Sequence, residues 1–219
     1  MNIEQARFNM IEQQIRPWNV LDLDVLELLT VVRREEFVPV AYKSLAFSDT
    51  EIPLPGGENM LAPKVEARLL QEAAVKKHEQ VLEIGSGSGY MAALLCYKAR
   101  HVTTVEIDPE LKTLAAKNLA AYGITNVEVA LGSGAQGWDQ SETKTYDVIV
   151  ISGSLSTLPD AFLKQLNVGG RIVAILGDAP VMTAQIITRT SDNSYSTRQL
   201  FETDVKPLRD AAVHSNFKF

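Results

Sequence analysis

The chain is poor in cysteine, in histidine and in long apolar runs. Cys96 is its single cysteine, so no disulfide can form within it, and a reducing compartment suits it. None of its apolar stretches approaches the roughly 20 residues that a membrane-spanning helix needs. Its first segment, MNIEQARFNMIEQQIRP, lacks an uninterrupted apolar core, which argues against a secretory signal. His78, His101 and His214 are scattered without ligand spacing, so no metal is expected. Positive charge is not in excess either: 21 Lys and Arg stand against 27 Asp and Glu, a net −6. A general nucleic-acid surface is therefore not expected, because phosphate binding needs clustered cations. These absences leave a cytoplasmic globular protein whose 219 residues suffice for one α/β domain with short additions.

Prolines, glycines and capping residues divide the chain into two parts of different rhythm. In the first, IEQARFNMIEQQI carries Ile3, Phe8, Ile11 and Ile15 at roughly helical spacing, and Pro17 stops it. DLDVLELLTVV predicts a second helix, capped by Asp22 or Asp24. REEFVPVAYKSLAFSD predicts a short helix broken around Pro39. EIPLPGGENMLAP, with three prolines and an adjacent glycine pair, must be a loop or extended. KVEARLLQEAAV then reads as a helix with Pro63 as its first residue.

From residue 80 onward, strands alternate with helices. QVLEI, VTTVEI, VEVAL, YDVIVIS and RIVAIL read as strands. YMAALLCYKA and DPELKTLAAKNLAAYG read as helices, the latter with Asp108 as cap, Pro109 in its first turn and Gly123 as terminator. LPDAFLKQLNVGG is expected to be a helix ending at its glycine pair, and MTAQIITRT and STRQLFETDV add strands around the loop SDNSY. The alternation predicts a doubly wound, mostly parallel sheet covered on both faces, a Rossmann-like α/β fold with an N-terminal helical extension.

The turn in VLEIGSGSGYMAALL, where Gly85, Gly87 and Gly89 alternate with Ser86 and Ser88, lies at the carboxyl end of the first core strand. Ligands of doubly wound sheets sit there. It is not a P-loop, since no lysine followed by Ser or Thr is present. The dinucleotide pattern fails at its third glycine, a position that must be small for helix and strand to pack; here it is Tyr90. Glu106, 21 residues past Gly85, can accept from two ribose hydroxyls, which suits a nicotinamide cofactor and S-adenosylmethionine equally. Glu83 decides between them. A carboxylate on the strand, two residues before the first glycine, repels a pyrophosphate but suits the cationic methionine end of S-adenosylmethionine.

VLEIGSGSGY, VTTVEID, GSGAQGW, YDVIVIS, LPDAFLKQLNVGGRIVAILG and VKPL, in that order, resemble the protein-L-isoaspartate O-methyltransferases. So do MIEQQI, VLELLTVVRREEFVP and LAFSDTEIPLPGGENMLAP, and the resemblance covers nearly the whole chain. It implies an S-adenosylmethionine-dependent O-methyltransferase that acts on a damaged aspartyl residue of a protein or peptide. Residues 1–78 would supply the N-terminal helices and substrate loop, and 79–219 the cofactor-binding core, of a single domain. Gly85, Ser86, Gly87, Ser88 and Gly89 would line the methionine and ribose portion, and Glu83 would help position its amino group. Glu106 would hold the ribose hydroxyls, with Ile107 against the adenine and Ser133 and Gly134 beside its edge. The loop 56–63 would close over the transferred methyl group.

Two positions depart from the family's pattern. An aspartate usually stands between the two glycines where this chain has Ser133. The family's loop reads approximately Gly-Gln-Thr-Ile-Ser-Gln-Pro; here Asn59 replaces the threonine, Leu61 the serine and Ala62 the glutamine. Asn59 and Leu61 are thus the candidate acceptor-side positions. The lost polar lining leaves open an alternative: a protein that binds S-adenosylmethionine but has lost isoaspartyl activity or takes a different methyl acceptor.

Overall fold

The computed structural model describes residues 2–138 and 144–212, so His214 lies outside the described residues. The N-terminal part is helical. Helix α1 (Ile3–Met10) is capped by Asn2, whose side chain accepts from the Gln5 backbone. The predicted helix over 3–15 does not stay α to its end: Ile11–Ile15 is wound as a π turn and Arg16–Trp18, which contains Pro17, as a 3-10 turn, and left-handed Asn19 ends it. Helix α2 (Leu23–Val31) is capped by Asp22, which takes the backbone N–H groups of Asp24 and Val25. The short helix expected around Pro39 is instead two 3-10 turns, Arg34–Glu36 and Val40–Leu45. Proline has no N–H for an α-helical ladder, and the turns leave Phe37 and Val38 buried between them.

The proline-rich stretch folds as a small hairpin, β1 (Ile52–Pro53) against β2 (Asn59–Met60), turned through Pro55–Gly57. Helix α3 (Pro63–Ala73) follows, with Pro63 at its first position, as the sequence predicts.

The core alternates as expected: β3 (Gln80–Ile84), α4 (Tyr90–Lys98), β4 (His101–Glu106), α5 (Pro109–Ala121), β5 (Val127–Leu131), β6 (Tyr146–Leu155), α6 (Asp160–Lys164) and β7 (Leu166–Asp178). An antiparallel pair, β8 (Val181–Ser191) and β9 (Ser194–Thr203), ends it. The sheet order is β5-β4-β3-β6-β7-β8-β9, parallel through β7 and antiparallel beyond. The chain winds outward from β3 to β5 and then returns to β6 on the other side of β3, which places the switch point between β3 and β6.

Strand residues alternate between two apolar layers. Val81, Val148, Val150 and Val173 join the N-terminal helices, α3 and α4; Leu82, Ile84, Ile149 and Ile172 join Trp138 and Phe162 on the other face. One boundary differs from expectation. The helix predicted up to Gly169 and Gly170 stops at Lys164, and the glycine pair lies inside β7. Leu166 is fully buried and pairs with Tyr146, whereas Val148 pairs with Arg171, so the glycines belong to a bulge. Gly169 takes a φ of +83°, and a Cβ on Gly170 would lie 2.7 Å from the Asp147 carbonyl. The pair is there for strand geometry, not for a helix stop.

Candidate active site

At the end of β3 the chain turns sharply: Gly85, Gly87 and Gly89 have φ of +92°, +51° and +84°. These are left-handed values that side-chain-bearing residues disfavour. The three glycines do different things. Gly85 and Gly87 border a cleft, partly open to solvent, at the carboxyl ends of β3, β4 and β6. Gly89 does not border it. A Cβ there would approach the Ala115 backbone to 3.2 Å, so this glycine lets α4 start against α5. Tyr90, at the position a dinucleotide fold keeps small, is buried, tilted against Phe37 with ring centroids 5.4 Å apart.

Behind the turn lies a smaller cavity lined by Glu83, Glu66, Ser86, Ser88 and Tyr90. Glu83 is fully buried, yet no cation pairs with it among the described residues. Its carboxylate accepts from the Thr104 hydroxyl at 2.6 Å and the Ser152 hydroxyl at 3.0 Å; the Ser86 hydroxyl joins the Thr104 hydroxyl at 2.6 Å. Burial pushes the Glu83 carboxyl up to about 8, with Glu66 and Glu106 adding like charge. Glu66, also buried, pairs with Arg34 and is pushed up to about 7 by burial against that attraction. A buried carboxylate held only by hydroxyls, beside a glycine turn, is suited to a ligand that brings its own positive charge.

Glu106 ends β4. One of its oxygens accepts the Gly87 backbone N–H at 2.9 Å and the other the Asp108 N–H at 3.0 Å. Each oxygen keeps a free lone pair, and the side chain borders the cleft. Ile107 and Leu111 give it an apolar lining, and Gly132, Gly134 and Ala135 also border it. Gly134 has no room for a side chain, since a Cβ would come within 2.7 Å of Ile84. Ser133, between the two glycines, is exposed and does not border the cleft.

The far end of the cleft is closed by the hairpin. Leu61 and Asn59 border it there, but Leu61 is 7% exposed and packs into the N-terminal core. Its carbonyl accepts from Arg34 at 2.6 Å, so the buried Arg34–Glu66 pair holds the backbone at this point. Asn59 donates to Glu51 at 2.9 Å. A strap after β9 clasps the hairpin tip. Arg209 pairs with Glu58 at 2.7 Å and Asp108 at 2.9 Å, and Lys206 pairs with Glu58 at 3.1 Å.

The sequence matches the family model Protein-L-isoaspartate(D-aspartate) O-methyltransferase (PCMT) over residues 5–212. The chain belongs to this family. Among its relatives, protein-L-isoaspartate O-methyltransferase 1 of Rhodopseudomonas palustris is 37% identical over 203 residues, 92% of this chain and 82% of its own length. The Protochlamydia amoebophila protein-L-isoaspartate O-methyltransferase is 37% identical over 180 residues, 82% of this chain and 84% of its own. A solved structure of the Plasmodium falciparum protein-L-isoaspartate O-methyltransferase, in complex with S-adenosyl-L-homocysteine, superposes with a TM-score of 0.80 at 19% identity. It covers 95% of this chain and 99% of that one, which supports the methyltransferase-type Rossmann-like fold.

Within this methyltransferase frame, the structure brings Gly85, Gly87, Glu106, Ile107 and Gly134 to one cleft and Glu83, Ser86 and Ser88 to the cavity adjoining it. No local sequence pattern marks Thr104, Ser152, Glu58 and Arg209, because their contacts are with partners 21 to 151 residues away. Among the described residues, no group of three or more His, Cys, Asp or Glu is placed to hold a metal, and no helix is long and apolar enough to cross a membrane.

Proposed function

We propose that this protein transfers the methyl group of S-adenosylmethionine to the free carboxylate of an isoaspartyl residue in a damaged protein or peptide. The observation that carries the cofactor assignment is Glu83: buried, held only by hydroxyls, and facing the cavity beside the glycine turn. The acceptor assignment rests on family membership over residues 5–212.

The residues fit these tasks. Glu83 meets the ammonium of the methionine moiety, Glu106 accepts from the ribose hydroxyls through its free lone pairs, and Gly85 and Gly87 let the ligand approach the backbone. Ile107 packs against the adenine, with Gly134 at its edge. S-adenosylmethionine supplies an already activated sulfonium methyl: the S–CH₃ bond breaks as a carboxylate oxygen forms the O–CH₃ bond, and the two opposite charges cancel. No general base is needed. The protein contributes alignment, for which effective molarities reach about 10⁵ M or more, and the hairpin contributes exclusion of water. Residues 1–78 and 79–219 act here as one domain. The single thiol, Cys96, agrees with a cytoplasmic role in protein repair.

A second reading, a different methyl acceptor, is favoured by one observation: the acceptor end presents Leu61 where a hydroxyl would be expected. Incubation with an isoaspartyl peptide and methyl-labelled S-adenosylmethionine separates the two. The proposal predicts an alkali-labile methyl ester on the peptide, and absence of label on any carboxylate contradicts it.

A further inference from the structure

We infer that Glu51 selects peptides with a basic side chain beside the isoaspartyl residue; this rests on the carboxyl-methylation reading above. Glu51 stands just before β1, half-buried, and borders the cleft with Asn59 and Leu61 at its acceptor end. One of its oxygens accepts from Asn59 at 2.9 Å; the other has no partner among the described residues. Both basic side chains that border the cleft are taken up elsewhere. Lys206 donates to the Gly57 carbonyl at 2.6 Å and pairs with Glu58 at 3.1 Å. Arg209 serves Glu58, Asp108 and the Gly56 carbonyl.

Glu51 therefore carries a charge at the acceptor end of the cleft that no ion pair neutralises among the described residues. Burial pushes its carboxyl up, the Asn59 bond opposes this, and the Asp204 charge outweighs that of Lys206. An isoaspartyl carboxylate entering alone meets repulsion. A lysine or arginine next to it supplies the counter-charge that Glu51 lacks, and a glutamate there adds to the repulsion. The competing account is structural: Glu51 only holds Asn59 and so shapes the hairpin. Glu51→Gln keeps an oxygen to accept from Asn59 and removes the charge, so it distinguishes the two.

The experiment uses the full chain and three isoaspartyl peptides identical but for Lys, Gln or Glu beside the isoaspartyl residue. Initial rates are measured with S-adenosylmethionine at low and high salt. The expected order of kcat/KM is Lys, Gln, Glu, with a Lys-to-Glu ratio that salt reduces and that Glu51→Gln lowers about threefold or more. Equal rates on the three peptides, or a ratio unchanged in Glu51→Gln, would overturn the role of Glu51 while leaving carboxyl methylation intact. Methylation of none of them would overturn the underlying reading, and the inference with it.

Discussion

Gly87 donates its backbone N–H to the Glu106 carboxylate at 2.9 Å, so the side chain that ends β4 also sets the turn that follows β3. Two neighbouring strand ends are thereby joined at the place where the ribose is expected. Glu106→Ala should weaken S-adenosylhomocysteine binding by about 1.5–3 kcal/mol, the usual value of hydrogen bonds to a charged group. It should also lower the melting temperature, because the N–H groups of Gly87 and Asp108 lose their acceptor. Calorimetry of a folded variant that shows unchanged affinity would place the ribose elsewhere.

The proposed contact between Glu83 and the ligand's ammonium predicts that cofactor binding is linked to a proton. With its carboxyl pushed up to about 8, the free protein holds a proton there at neutral pH. An ammonium beside it favours the ionised form, so binding should release a proton, and affinity should rise as pH climbs toward about 8. Titrations in buffers of different ionisation enthalpy measure the release directly. Glu83→Gln should abolish it; a wild-type value of zero contradicts the assignment. The same group predicts that S-adenosylhomocysteine, whose ammonium stabilises the ionised Glu83, binds more tightly than NAD, whose pyrophosphate gains nothing from the protonated carboxyl and is repelled by the ionised one.

Without ligand, the same group should make stability fall as pH rises. The unfolded chain ionises this carboxyl near its ordinary 4.5, whereas the folded protein retains the proton up to about 8. Its contribution is thus full below about pH 4.5 and is lost progressively as pH rises through about 8. Melting temperatures of wild type and Glu83→Gln across that window should diverge, the variant lacking this part of the slope. Parallel curves would count against a protonated Glu83.

Arg209 clasps the hairpin tip to the start of α5, bridging Glu58 and Asp108. Gly56 lies so close that a Cβ would come within 2.7 Å of the guanidinium. Arg209→Ala should speed S-adenosylhomocysteine dissociation, roughly threefold or more, as expected for losing a partly exposed ion-pair network. High salt should do the same to wild type but little to the variant. Stopped-flow dissociation rates that do not move in either case would show that the clasp does not cover the ligand.

Leu61→Ser restores a hydroxyl at the acceptor end but removes a side chain from the core. Its near-complete burial predicts a stability loss of about 2–4 kcal/mol, as for other large-to-small core changes. Turnover on an isoaspartyl peptide should rise modestly at a temperature where the variant is folded, because a buried polar group left unpaired costs about 1–3 kcal/mol. Turnover that falls in step with folded fraction would mean that the hydroxyl has no role here.

The fold was largely legible because its signals are local. Asp22 and Asp108 cap their helices, Pro63 and Pro109 start theirs, and the apolar strands alternate with helices in the order observed. The elements that depart from the sequence pattern are those where tertiary structure outweighs it. Asn167–Gly170 resembles a helix stop, but full burial of Leu166 beside Tyr146 pulls it into a strand bulge. The position of Glu83 and Glu106 beside the glycine turn was legible, because each is placed by its strand relative to the turn. Gly89 was less so: the same residue type in the same motif serves a contact between helices, which spacing alone does not distinguish. The hydroxyls of Thr104 and Ser152, and the clasp through Arg209, depend on distant pairings that no local pattern announces.

The most direct measurement compares an isoaspartyl peptide with its normal aspartyl isomer, following S-adenosylhomocysteine formation and peptide mass together. The account predicts one S-adenosylhomocysteine per methyl ester gained, on the isoaspartyl peptide only, and loss of both in Glu106→Ala at subsaturating S-adenosylmethionine. Tight S-adenosylhomocysteine binding with no methyl gained by the isoaspartyl peptide would contradict it.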